Sequence, residues 1–117
     1  MYKDILTIHR DSVAAVDGTT PPGSTDAAWV ANPHPMCWIC RIVVSASFVG
    51  GTAPTVSIRP YLRNGTTVVK LDLCTYSAGV WVFDLATRGW DVLMYVESVG
   101  GTPDSFDIDI SRQWIND

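Results

Sequence analysis

The chain has 117 residues, which fits one domain with a single packed core. Hydrophobic residues make up 47% of it, which excludes a disordered segment, because such segments lack the apolar surface that offsets the entropy of ordering. The formal net charge of -4 argues against nucleic acid as a partner, and no apolar run approaches the roughly 20 residues that span a membrane. The N-terminus MYKDILTIHR lacks the apolar core of a signal peptide, so we expect synthesis in the cytoplasm without export by that route.

The types of charged residue indicate an all-β fold. Eleven of the acids are Asp and one is Glu97, and Lys occurs only at Lys3 and Lys70. Glu and Lys populate exposed helix faces, whereas Asp, Thr, Ser and Gly populate turns and strand margins. We therefore expect residues 1–117 to form a single-domain antiparallel β-sandwich of about eight strands, similar to a jelly roll. A seven-stranded immunoglobulin-like sandwich is the rival, but its paired-cysteine-plus-Trp spacing is missing.

The first 35 residues are the least regular part of the chain. Short strands are predicted over Ile5–Ile8 and Ser12–Val16. The stretch DGTTPPGSTD, from Asp17 to Asp26, is rich in residues that interrupt regular structure. Long loops in compact domains are often functional. The segment of about residues 1–35 is therefore predicted to be an interaction arm.

Alternation of apolar and polar residues predicts the strands that follow. In MCWICRIVVSASFVGG the predicted inward residues are Trp38, Cys40, Ile42, Val44, Ala46 and Phe48. In TVSIRPYLR they are Val56, Ile58, Pro60 and Leu62. Asn64-Gly65 then predicts a hairpin with a type I′ turn.

The second half of the chain continues the same alternation. The returning strand TVVKLDLCTY has Val69, Leu71 and Leu73 predicted inward, and VWVFDL has Trp81, Phe83 and Leu85. In WDVLMYVESV the inward set is Trp90, Val92, Met94 and Val96. The last predicted strand, SFDIDIS, alternates Phe106, Ile108 and Ile110 with Asp107 and Asp109.

The tetrapeptide VGGT occurs twice, at residues 49–52 and 99–102. Glycine has no Cβ to obstruct the positive φ that tight corners require. We therefore predict two long hairpins, each turning at a Gly-Gly corner and packed in one sandwich.

The cysteines suggest a redox or zinc site, and strand geometry argues against both. Cys37-Trp38-Ile39-Cys40 has the spacing of a thioredoxin-like motif, and His34, Cys37, Cys40 and Cys74 could form a four-ligand set. On a strand, however, residues three apart point to opposite faces. We expect reduced thiols and no metal site.

No catalytic motif stands out elsewhere. Asp104, Asp107 and Asp109 could in principle bind calcium or act as glycosidase carboxylates, but outward aspartates on an edge strand also prevent edge pairing, which we favour. The GxSxG, HExxH and phosphate-loop signatures are missing. The chain is predicted not to be an enzyme, with no catalytic residue and no cofactor.

Apolar residues on nominally outward positions predict an interface. Leu93, Tyr95 and Val99 lie on the outward face of one strand, and Ile39 and Val43 on that of another. Exposed apolar patches usually mark interaction sites, unless a loop or the QWIND tail covers this face. Trp29 and Trp114 complete the set of interface candidates.

Two stretches resemble a known class of proteins. IVVSASFVGGTAPTVSIRPYLRNGTTVVKLDL and WDVLMYVESVGGTPDSFDIDIS are similar to the small jelly-roll virion proteins of tailed phages, namely capsid decoration (cement) proteins and head-fibre or tail accessory proteins. The resemblance implies a homotrimer on the capsid surface that reinforces the major capsid protein lattice. By the same analogy, the N-terminal segment and the Asp17–Asp26 loop would contact the capsid.

A carbohydrate-binding module is the alternative. Many such modules are β-sandwiches that use exposed aromatic rings as platforms for sugars. Of the five tryptophans, Trp38, Trp81 and Trp90 fall on the core side of the alternation. This leaves Trp29 and Trp114 as the predicted exposed pair.

Overall fold

Strands and turns account for the described part of the chain. The computed structural model describes residues 4–13, 22–26, 29–32 and 38–116. Their strands, in chain order, are β1 (Asp4–Val13), β2 (Ile39–Val49), β3 (Thr55–Asn64), β4 (Thr67–Lys70), β5 (Cys74–Tyr76), β6 (Gly79–Ala86), β7 (Asp91–Gly100) and β8 (Ser105–Asn116). No helix occurs in these residues, which confirms the all-β prediction.

The strands form two antiparallel sheets that pack together as a sandwich. Sheet A has the order β1-β8-β2-β6. In sheet B, β3 is central, with β7 on one side and the two short strands β4 and β5 on the other. The core between the sheets consists of Cys40, Ile42, Val44, Ala46, Val56, Ile58, Leu62, Val92, Met94, Val96, Ile108, Ile110 and Trp114.

The strand pairing is nested. The first strand pairs with the last, β1 with β8, and a bridge joins Val30 to Val92 of β7. Further in, β2 pairs with β6, and β3 pairs with β4 and β5. A long hairpin rolled into two sheets has this connectivity, which is that of a jelly roll.

The tip of the rolled hairpin is a two-residue turn, shifted by one residue from the prediction. Asn64 pairs with Thr67, so the turn residues are Gly65 and Thr66. Gly65 has φ +60°, whereas Thr66 is not at positive φ. Glycine at the first turn position suits a type II′ turn rather than the predicted type I′.

The N-terminal segment is part of the sheet. One strand, β1, replaces the two predicted pieces and pairs with β8 from Asp4↔Asn116 to Val13↔Ile108. Residues 4–13 are therefore paired within sheet A, and the prediction that about residues 1–35 form an interaction arm stays a prediction. Residues 14–21, 27–28 and 33–37 of that arm lie outside the described residues.

The two VGGT segments lie side by side, and the prediction of two hairpins at these corners is wrong. Each corner carries one strand from one sheet into the other, because β2 and β8 pair in sheet A while β3 and β7 pair in sheet B. The corners bond to each other: Thr52 N donates to Gly101 O at 2.9 Å, and Asp104 N donates to Val49 O at 2.7 Å. Two paired strands must bend at the same point, which explains the same turn chemistry fifty residues apart.

A proline explains why the predicted strand TVVKLDLCTY divides into β4 and β5. Pro60 lies in β3, and its carbonyl oxygen accepts a hydrogen bond from Leu71 N at 3.0 Å. The N and C=O of a strand residue point to the same side, so the missing proline N–H faces this neighbour. The ladder is therefore interrupted at residues 71–73, where Leu73 is exposed instead of inward.

The alternation of apolar and polar residues correctly predicts which residues of β2 are buried, but the burial of three tryptophans differs from the prediction. Trp38 lies just before β2 at the end of the sandwich and is 55% exposed. Trp81 has the predicted parity, but it lies on β6, at the edge of sheet A, and is also exposed. Trp114 is fully buried, because β8 continues through QWIN with the same alternation and carries Arg112 and Trp114 into the core.

Candidate interaction site

The seven predicted interface residues divide into two groups. Five keep part of their surface exposed: Ile39, Val43, Tyr95, Val99 and Trp29. Leu93 and Trp114 are 2% and 0% exposed, so the prediction that they form an interface is wrong. Trp114 is buried because β8 extends to Asn116, beyond the end of the predicted strand.

The chain itself closes the surface around Leu93. Its register partner on β3 is Tyr61, and that side chain is buried as well. Tyr61 also meets Tyr95 edge to face, with ring centroids 6.1 Å apart. This part of the outer face of sheet B is therefore interior and offers no docking surface.

A different exposed apolar surface lies on β6. Val80 and Val82, on the outward face, are 66% and 61% exposed, and Trp81 between them is 40% exposed. Trp81 packs against Tyr76 at a centroid distance of 5.8 Å, and Val82 pairs with Val43 of β2. We call Val80, Trp81 and Val82 the β6 strip.

Sequence reasoning missed the β6 strip because it treated VWVFDL as an ordinary half-buried strand. The alternation correctly placed Phe83 and Leu85 toward the core. It could not show that β6 is an edge strand, which leaves both of its faces poorly covered. The available signal was that five of these six residues are apolar.

The one charge in β6 is neutralised within sheet A. Arg41 donates from Nε to Asp84 Oδ1 at 2.9 Å and from Nη2 to Oδ2 at 3.3 Å. The hydrogen bond to Asp84, and then the charge of that carboxylate, raise the pKa of Arg41. The β6 strip therefore lies beside a compensated ion pair.

Arg63 fixes residues 22–26 and 29–32 on the outer surface of sheet B. Its Nε and Nη2 donate to Asp91 Oδ2 at 2.9 and 2.8 Å, and its Nη1 donates to Ser24 O at 3.0 Å. Its guanidinium lies 4.9 Å from the centroid of the Trp29 ring. Asp91 Oδ1 also accepts a hydrogen bond from Asn32 N at 2.8 Å. The half-buried Trp29 is thus engaged by its own chain.

Arg63→Ala is expected to release residues 22–26 and 29–32 and to lower the free energy of unfolding by about 2 kcal/mol, since it removes hydrogen bonds to a charged, partly buried partner. Urea unfolding would measure the loss, and limited proteolysis would show new cleavage near Ser24. Arg41→Ala is the matched control, because it breaks an exposed Arg–Asp pair and should cause a much smaller loss. Equal losses in the two variants would contradict the anchoring role of Arg63.

The cysteines do not assemble into a site in the described residues. Cys40 is buried in the core on β2, and Cys74 is half-buried on β5 of the other sheet. Neither forms a disulfide, and no group of three potential metal ligands occurs in the ranges given above. Cys37 and His34 lie outside the described residues. Our expectation that the four residues form no zinc site therefore stays a prediction.

The aspartates of β8 do not protect an edge. Asp107 and Asp109 pair with Ser47 and Ser45 of β2, and β8 lies between β1 and β2. The predicted edge-blocking role is therefore wrong, because these residues are on an interior strand. Asp107 is exposed and Asp109 is half-buried.

The phenol of Tyr76 lies partly buried beside Cys74. Burial, and then its interaction with Cys74, raise the pKa of Tyr76 well above its usual value. Its ring also stacks on Phe83, with centroids 6.4 Å apart. At neutral pH this phenol stays protonated, which suits a packing role and not that of a general base.

An apolar cleft of about 370 Å³ opens between the sheets near the 87–90 turn. Its walls are formed by Leu62, Val69, Leu71, Ala86, Thr87, Arg88 and Trp90. Arg88 adopts φ +52° there, a conformation that non-glycine residues rarely take. The cleft holds no cluster of polar groups that would orient a reacting substrate.

No family model, no curated protein and no solved structure matches this chain. Within the described ranges, no helix has the length and apolar character needed to cross a membrane.

Proposed function

We propose that this chain is a non-enzymatic virion protein that binds, as a homo-oligomer, to the major capsid protein lattice of a tailed phage. The observation that carries this proposal is the exposed β6 strip. Burying one such valine on another protein contributes about 1.5–3 kcal/mol. Burial of Val80 and Val82 together would therefore contribute a substantial part of the free energy of binding.

The architecture supports a mechanical role. The chain passes from one sheet to the other at each of the two VGGT corners, and these corners bond to each other. Arg63 holds residues 22–26 and 29–32 in place. A rigid domain of this kind can reinforce a lattice by binding to it, without a conformational change of its own. A jelly roll alone does not define a function, so the surface of the fold carries the proposal. The resemblance in sequence adds the virion surface as the location and a trimer as the implied assembly.

The proposal is tested by mixing the purified chain with capsid particles made without it and pelleting the particles. We expect the chain to sediment with them and to raise their resistance to heat. Val80→Asp should abolish binding, since a carboxylate would be buried against the partner. Val49→Asp is the matched control, because Val49 is 61% exposed, close to the 66% of Val80, but is the first residue of a VGGT corner. Failure of the wild-type chain to bind particles would overturn the proposal.

A carbohydrate-binding module is the second candidate. The exposed Trp38 and Trp81 favour it, while the buried Trp114 removes one of the two predicted platforms. A shift of tryptophan fluorescence on a glycan panel, lost in Trp81→Ala or Trp38→Ala, would support this role. Glycan binding without particle binding would replace the virion proposal.

A further inference from the structure

The tip of the rolled hairpin carries a reactive dipeptide. Asn64 is the last residue of β3, and Gly65 begins the turn that leads to Thr67 of β4. Asn64 and both turn residues are exposed. The side-chain amide of an asparagine can react with the backbone nitrogen of the next residue, and glycine there offers no side chain to hinder the approach.

Neither reacting group is held by a hydrogen bond in the described part of the chain. The side-chain amide of Asn64 has no partner there, and the N–H of Gly65 donates to no carbonyl oxygen. A Cβ added to Gly65 would have no heavy atom within 4 Å, so the space beside its nitrogen is open. Neither a competing contact nor local packing therefore prevents the two groups from meeting.

The strand that closes the tip is short and little buried. β4 has four residues, of which only Val68 is half-buried, and it pairs with β3 alone. The next strand, β5, begins only at Cys74. Strand ends with few apolar contacts open at little cost in free energy. Such opening lets the backbone of Asn64 rotate until its Cγ lies against the nitrogen of Gly65.

We infer that Asn64 is a site of spontaneous deamidation that produces isoaspartate at the tip. The Gly65 nitrogen loses its proton to hydroxide and attacks Cγ of Asn64. The N–Cγ bond forms, the Cγ–Nδ2 bond breaks, and ammonia leaves with a proton taken from water. Water then opens the cyclic imide at either of its carbonyl carbons, which gives aspartate or isoaspartate. Water is the only reactant consumed, and no group is oxidised or reduced.

Isoaspartate changes the tip in a way that aspartate does not. Its backbone runs through Cβ and Cγ, so the turn gains a methylene group and position 64 loses its register with Thr67. The same shift reaches Val69, which pairs with Leu62 and lines the apolar cleft. Aspartate adds the same negative charge but leaves the backbone unchanged. The inference goes beyond the proposed function and does not depend on it.

Peptide mapping by mass spectrometry tests the reaction after long incubation of the full chain at neutral and alkaline pH. We expect the Asn64 peptide to gain the mass difference between an amide and an acid, as two separable products. The rate should rise in proportion to the hydroxide concentration, because the deprotonated nitrogen attacks. Asn32 is the internal control: the following Pro33 has no N–H to lose, and Asn32 Nδ2 donates to Trp90 O at 3.3 Å.

Two variants make the result specific. Asn64→Gln should react at least about tenfold more slowly, because its longer side chain must close a larger ring. Asn64→Asp has the charge of the products without the added methylene. We expect aged wild-type protein to lose hydrogen-exchange protection in β4, and freshly prepared Asn64→Asp to keep it.

Three results would overturn the inference. These are an Asn64 that reacts no faster than Asn32, an Asn64→Gln variant that reacts as fast as the wild type, and a product that is aspartate without isoaspartate. Isoaspartate with unchanged protection of β4 would disprove the effect on the strand register. Binding to capsid particles is measured separately, so none of these results bears on the virion role.

Discussion

Gly101→Ala is expected to lower the free energy of unfolding by about 3 kcal/mol or more. Gly101 has φ +79°, and this left-handed conformation costs a residue with a side chain about 1–2 kcal/mol. A Cβ at this position would also lie 2.6 Å from Thr52 O and 2.7 Å from Pro54 Cα. Both are backbone atoms of the neighbouring corner, which cannot move without disturbing the bond between the two corners. Urea unfolding of the variant would measure the loss.

Gly51→Ala is the reciprocal change, since its Cβ would lie 2.6 Å from Gly101 O. The double variant should lose less than the sum of the single variants, because both disturb one contact. Gly65→Ala is the matched control: it has φ +60° but nothing within 4 Å of the added Cβ, so its cost should be about 1 kcal/mol. If Gly101→Ala cost no more than Gly65→Ala, the close packing of the two corners would be disproved.

Trp114→Ala should cost about 4 kcal/mol, which is typical for removing a large buried aromatic side chain. Trp114 is fully buried in the core on β8, at the end of the sandwich where β8 pairs with the first residues of β2. The substitution leaves a large void that the surrounding strands cannot fill. Chemical denaturation monitored by circular dichroism is the appropriate measurement, because it does not depend on the deleted fluorophore.

Two further tryptophan variants serve as controls for Trp114→Ala. Trp38→Ala should cost less than about 1 kcal/mol, since surface substitutions rarely cost more. Trp114→Phe should lose only about 1 kcal/mol, because it keeps most of the apolar volume and the buried Nε1 has no hydrogen-bond partner to lose. A Trp114→Ala variant as stable as Trp38→Ala would show that the side chain is not part of the core.

The alternation of apolar residues predicted the fold class and most of the core. Along β2 and the first half of β8, each inward position that the sequence indicated is buried or half-buried. The prediction worked because these strands are interior strands of sheet A, where one face is covered over most of the length. Trp114 was missed because the predicted strand stopped at Ser111, although the same alternation continues.

The pairing of strands could not be predicted from local patterns. A Gly-Gly corner indicates a sharp turn, but it does not say whether the two flanking strands pair or enter different sheets. That choice depends on contacts between residues far apart in the chain, such as Thr52 N with Gly101 O. Pro60 shows the same limit: the proline is visible in the sequence, but the strand that it interrupts is not.

The candidate site was only partly predictable for a related reason. The sequence indicated outward apolar residues, yet it could not distinguish Leu93, which the chain covers, from Val80, which it leaves exposed. Exposure depends on whether a strand lies at an edge and on which segment crosses its face. Neither property is encoded in the local alternation.

The nested pairing has a consequence for synthesis. β8 is translated after every other strand, yet it lies between β1 and β2 and pairs with both. Until β8 leaves the ribosome, the nascent chain cannot assemble sheet A, and apolar segments such as β2 remain uncovered. Contacts between distant parts of a chain form slowly, and uncovered strands aggregate during the delay. We therefore expect sheet A to fold only after β8 has been synthesised, and the chain to depend on chaperones until then.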